Sequence, residues 1–105
     1  MDEYLCLTVL SKSGESESEF KHRLAVFWTW MVRERPDDYE KIYAETTAFE
    51  HEDGKITRKY LIEAPVANAL TDALKQQGMD FVPIDLSDLY SKFEAVPPEW
   101  FWIEH

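Results

Sequence analysis

Residues 46–64 read TTAFEHEDGKITRKYLIEA, and the fold turns on whether the middle of that stretch is a cation loop or a turn. An EF-hand loop takes oxygen ligands at positions 1, 3, 5, 7, 9 and 12, with glycine at position 6. With Gly54 at position 6, Asp53 falls at 5 and Ile56 at 8, as such a loop requires. The rest fails. Position 1 is Phe49, position 3 is His51 and position 12 is Tyr60, so the closing glutamate is missing. Asp53-Gly54 instead predicts a two-residue type I′ hairpin turn, with φ positive at both positions. The flanks YAETTAFEHE and KITRKYLIEA are rich in β-branched and aromatic residues and contain no internal proline, which suits two paired strands.

Working outward, YLCLTVL is apolar enough for a central first strand. SKSGESESEF then offers Gly14 for a turn and Ser16-x-x-Glu19 as a capping box. Glu17 and Glu19 suit the positive end of the helix dipole. Phe20, Leu24, Phe27, Trp28 and Met31 form one apolar face, and Arg33, Arg35 and Pro36 end the helix. Val26 and Trp30 lie off that face, so Trp30 needs a cover or marks a contact surface; burial is the expectation. A second strand is expected from about Ile42, although Asp37-x-x-Glu40 could also cap a helix. Past the hairpin, Pro65 opens a short helix with Val66, Ala69, Leu70, Ala73 and Leu74 on one side, stopped by Gly78. MDFVPIDL is an edge strand interrupted by Pro83, SDLYSKFEA a candidate final helix, and Pro97-Pro98 its end. The order β-α-β-β-α-β predicts a single α+β domain over residues 1–105. Its antiparallel sheet would be ferredoxin-like (split βαβ), with both helices on one face and a C-terminal aromatic extension.

The chain has 105 residues, 45% of them hydrophobic and 14% aromatic, which is too apolar for disorder. No apolar run reaches the length of a membrane helix. YLCLTVL lacks a basic leader and a small-residue cleavage site, which argues against a signal peptide. A single cysteine, Cys6, makes no internal disulfide and fits a reducing cytoplasm. Twenty-one acidic residues against eleven Lys and Arg give a net charge of −10. That field argues against nucleic acid and anionic membranes, and favours cations or a basic protein partner.

The predicted topology gathers carboxylates at both ends of the sheet. The end of strand one, the hairpin tip and the start of the last strand would bring together Glu15, Glu17, Glu52, Asp53 and Asp80. The other end would collect Asp37, Asp38, Glu40, Asp85 and Asp88, with Arg33 and Arg35 near enough to neutralise Asp37 and Asp38. Calcium binds 6–8 such hard oxygens in flexible geometry. Asp37 and Asp38, stiffened by Pro36, are the sharpest candidates, although a helix cap and a solvated neighbour explain them equally well. His22, His51 and His105 lack ligand spacing, and one cysteine makes no thiolate cage. No phosphate loop, nucleophile elbow or HExxH motif is present, and His51 is the one candidate general base, so an enzyme is not expected.

EYLCLTVL, the FWTWM helix, PDDYEKIYAETT and the strong acidity together resemble the CcbP-like small calcium-binding proteins of filamentous cyanobacteria. The resemblance is one of whole-chain character, without a short diagnostic motif. It implies a cytoplasmic, non-EF-hand calcium sequesterer that influences heterocyst differentiation by limiting free calcium. The resemblance makes calcium the cofactor but carries no ligand motif; the carboxylate clusters alone nominate Asp37, Asp38 and Glu40 as the first site, completed by Asp85 or Asp88, and the hairpin end as a second. The competing class is an acidic inhibitor or immunity protein that clamps a basic enzyme through Trp30, Trp100 or Trp102.

Overall fold

Two strands carry the molecule. In the computed structural model, which describes residues 3–91 and 99–104, β1 (Tyr4–Leu10) pairs antiparallel with β4 (Ile56–Glu63). The register runs unbroken from Tyr4 opposite Glu63 to Leu10 opposite Thr57. Side chains alternate across a strand, so Leu5, Leu7 and Val9 share one face with Ile62, Tyr60 and Arg58. Tyr4, Cys6 and Thr8 share the other with Glu63, Leu61 and Lys59.

The first face is the core. Helix α1 (Glu17–Glu34) lays Phe20, Leu24, Phe27 and Met31 on it, and α3 (Ala67–Gln76) adds Ala67, Leu70, Ala73 and Leu74. A four-residue helix, α2 (Pro36–Tyr39), links α1 to β2 (Ile42–Glu45). Further strands are β3 (Phe49–Glu50), β5 (Asp80–Phe81) and β6 (Phe101–Trp102). The sheet order is β5-β1-β4-β2-β6, with β3 beside the start of β4, and every pairing is antiparallel. The result is a small α+β domain with an open antiparallel sheet and three α-helices among the described residues. Its radius of gyration, 13.2 Å, is that of a compact chain of this length.

Ser16 and Glu19 form both bonds of a capping box at the start of α1. At its far end the helix does not simply stop at Pro36. The backbone N–H of Arg35 still bonds Met31, and Pro36 occupies the first turn of α2, where its missing N–H costs nothing. Asp37 and Asp38 therefore sit inside the first turn of α2, and neither caps it through a side chain. Trp30 is half-buried, stacked on Phe27 and overlain by the Arg35 guanidinium. Tyr60 is buried beneath α1 and accepts a hydrogen bond from the Trp28 indole N–H at 3.0 Å. Burial, the dominant cause, leaves its phenol pushed up to about 12.

Three expectations need correction. The hairpin turn is not type I′. Gly54 has φ +85° while Asp53 keeps a negative φ. The His51 N–H reaches the Lys55 carbonyl, and the Gly54 N–H reaches that of His51. This is a three-residue loop in which glycine alone takes the left-handed position. Asp53 Oδ1 accepts from the Lys55 N–H, which satisfies it without positive φ. Next, the arm before the turn is broken between β2 and β3. Thr46 Oγ1 accepts from the Lys59 N–H, and the Thr46 carbonyl accepts from Arg58 Nε. Side chains there replace ladder bonds. Lastly, residues 87–91 are not helical. Asp85 accepts from both the Ser87 N–H and hydroxyl, and Tyr90 exchanges backbone bonds with Tyr4. The remainder of SDLYSKFEA, with Pro97 and Pro98, lies outside the described residues.

Two substitutions test this account in urea unfolding. Leu7→Ala empties a fully buried position under both helices and should cost about 2–5 kcal/mol. Gly54→Ala meets open space, so its cost should be the backbone term alone, roughly 1–2 kcal/mol.

Candidate functional site

The hairpin tip and the loop after β1 do meet. The Ser11 N–H bonds the Ile56 carbonyl, and Ser11 Oγ accepts from the Ile56 N–H. Glu15, Glu50 and Asp53 consequently line one cleft of about 320 Å³ together with Lys55 and Gly14. Glu50 is not among the carboxylates that the predicted topology gathers at this end. Its neighbour Glu52 is exposed and makes no hydrogen bond or ion pair among the described residues. Glu17 pairs along the helix with Lys21 at 3.0 Å, and Asp80 is exposed at the start of β5.

Glu15 is already occupied. Its carboxylate accepts from Arg23 Nη2 at 2.8 Å and from the Lys12 N–H at 3.0 Å, and Arg23 Nε closes a fork on the other oxygen. The Arg23 hydrogen bonds hold the Glu15 carboxyl below its ordinary range. Glu15 in turn raises Arg23, with Asp80 adding a smaller contribution.

At the other end the predicted set divides. Asp38 lines a cleft with Lys41 and Glu63, whereas Asp37 and Glu40 make no side-chain bond among the described residues. Arg33 and Arg35 do not neutralise them. Arg33 turns to Glu34, and Arg35 reaches the Ala69 carbonyl and Gln76. Asp85 is spent on Ser87, which lowers its pKa, and Asp88 accepts from the Tyr90 hydroxyl. Among the described residues no three His, Cys, Asp or Glu side chains converge as a metal site would need. Cys6 is partly buried, and that burial pushes its thiol up.

A different grouping stands on the sheet face away from the helices. Trp102 pairs with Ala44 and Phe49 with Thr57, positions whose neighbours Leu61 and Lys59 share that face. Trp100 packs on Tyr4, Ala44 and Leu61 and lines a cleft of about 360 Å³ with Phe49, His51, Thr57 and Lys59. The three rings make a row on this face beside β2, at the border that β6 forms. Trp102 is 52% exposed and Phe49 62%, while Phe101, also at that edge, is 55% exposed. His51 stacks edge-on against Phe49 and shares a 2.9 Å hydrogen bond with Thr57 Oγ1. Glu50, Glu99 and Glu104 stand within two residues of these rings in the sequence. Trp100 and Trp102 were legible as candidates; Phe49 was hidden as one apolar residue of a strand.

Comparison with protein-family profiles, with curated proteins and with solved structures returned no match. No helix among the described residues is long and apolar enough to cross a membrane.

The Glu15–Arg23 fork predicts a pH dependence of known sign. A carboxyl whose pKa is lower in the folded state contributes stability above its unfolded pKa and loses it as pH falls through the folded one. Urea midpoints of wild type and Arg23→Gln should therefore differ most near neutrality and converge as the solution is acidified through the carboxylate range.

Proposed function

We propose that the chain is a non-catalytic, acidic protein-binding module of the cytoplasm, whose ligand is a basic protein surface. The observation that carries this reading is the aromatic row Trp102–Trp100–Phe49, of which Trp102 and Phe49 are exposed. Aromatic side chains dominate the energetics of protein interfaces, and large exposed rings cost solubility unless they are used. A net charge of −10 supplies long-range attraction for a basic partner and repels nucleic acid. The order β5-β1-β4-β2 supports a ferredoxin-like scaffold, to which β6 adds an edge. The lone free thiol, flanked by buried Leu5 and Leu7, supports a reducing compartment.

Binding should be read by calorimetric or biosensor titration against basic proteins captured on the immobilised chain. The double variant Phe49→Ser/Trp102→Ser should weaken it roughly tenfold or more without altering the circular dichroism. Equal affinity in the variant would remove the reading.

A second reading, calcium buffering without an EF-hand, is favoured by the tip cleft. Glu50 and Asp53 face it alongside Glu15, and hard oxygens are what calcium takes. The same resemblance in whole-chain character supports it. Calcium titration followed by tryptophan fluorescence, with magnesium as control, should show saturable binding. Glu50→Gln/Asp53→Asn should abolish it if the tip is the site, and Asp38→Ala if PDDYE is. A flat titration at millimolar calcium returns the choice to the protein-binding reading.

A further inference from the structure

At the end of the sheet opposite the hairpin tip, two clefts share a wall made by Glu63 and Pro65. The larger, about 480 Å³, has Leu5, Ala64 and Pro65 for its floor, with Leu86 and Leu89 at its lip. That volume is within the range of ligand clefts. The smaller, about 390 Å³, runs on past Val66 and Ala69 to Asp38. The floor is fixed by backbone bonds. The Ala64 N–H reaches the Glu3 carbonyl and the Glu63 N–H that of Lys41, each at 3.0 Å. Leu86 is 58% exposed and Leu89 40%, so the lip is apolar and open. The rim is acidic: Glu3, Glu63 and Asp38, against one cation, Lys41.

Glu63 is the informative residue. Its side chain is only 22% exposed, yet among the described residues its carboxylate makes no hydrogen bond. The nearest cation, Lys41 Nζ, stands 3.6 Å away and is itself half-exposed. Charge-assisted bonds close to about 2.7–2.9 Å. Lys41 therefore screens Glu63 without hydrogen-bonding it.

We propose that this trough receives a short segment of a partner protein in which large apolar side chains alternate with arginine or lysine. The apolar side chains seat against Leu86, Leu89 and Pro65, and a guanidinium takes both oxygens of Glu63 in place of Lys41. Charge complementarity selects this occupant. A second copy of this chain would bring its own negative charge to an acidic rim, and a bare cation would leave the leucines unused. No residue lining the trough lines the aromatic cleft, so the inference goes beyond that reading and stands or falls without it.

Fluorescence anisotropy with short labelled peptides tests it on the full chain. One peptide carries leucines and arginines, a second serines and the same arginines, a third the same leucines and glutamates. The leucine–arginine peptide should bind saturably and roughly tenfold tighter than either other, about 1.4 kcal/mol. Glu63→Gln and Leu86→Ser/Leu89→Ser should each weaken it several-fold, whereas Phe49→Ser/Trp102→Ser should leave it unchanged. Amide resonances of Ala64, Leu86 and Leu89 in the wild-type chain should move on binding, which gives a readout independent of any variant's folding. Equal binding of the serine–arginine peptide, indifference to both trough variants, or shifts confined to other residues would overturn the proposal.

Discussion

The ladder between β1 and β4 is the constraint on which everything else rests. These are the two longest strands, they lie at the middle of the sheet, and the pairing runs seven residues without a break. Because successive side chains point to opposite faces, that one register decides which residues meet α1 and α3 and which face outward. Slipping β4 by one residue against β1 would put Lys59 beneath the helices and expose Tyr60 and Ile62. Tyr60 makes the cost specific as well as hydrophobic, since its hydroxyl is the partner of the Trp28 indole.

With the helices spent on one face, the other face and the two ends of the sheet are what remain for recognition. The ends differ in character. At the hairpin tip an ion pair, Glu15 with Arg23, ties the loop after β1 to α1 and consumes a carboxylate that the topology brought there. At the far end the acids are either bonded locally, as Asp85 and Asp88 are, or left beside exposed leucines. Negative charge is thus spread over the whole molecule while apolar contact area is confined to particular places. On the proposed reading, such an arrangement would draw in a basic partner by its overall charge and hold it where rings or leucines are exposed.

Much of this was written plainly in the chain. The capping box at Ser16, the spacing of Phe20, Leu24, Phe27 and Met31, and the glycine after α3 each fix a local conformation by themselves, so each could be read locally. Asp53-Gly54 marked a hairpin, but the turn type depended on where β3 closes its ladder, which a dipeptide does not encode. The end of SDLYS was misread as helical because its decisive contact, Tyr90 with Tyr4, is made with the other end of the sequence. The candidate sites suffered likewise. Connectivity correctly brought Glu15 and Asp53 together, yet which carboxylate is free depends on Arg23, eight residues further along the chain. Glu63 could not be singled out at all. Its significance comes from a lysine that stops short of it.

The two outermost strands, β5 and β6, are each two residues long. A strand that short offers an incoming chain almost no run of unpaired amide and carbonyl groups to copy. Sheet growth, whether by a partner's strand or by a neighbouring molecule, is therefore starved at both borders even though the borders carry rings. A chain that concentrates four tryptophans and six phenylalanines in 105 residues would otherwise be a hazard when crowded. Truncated borders leave such side chains on display while giving an incoming strand little backbone to pair with.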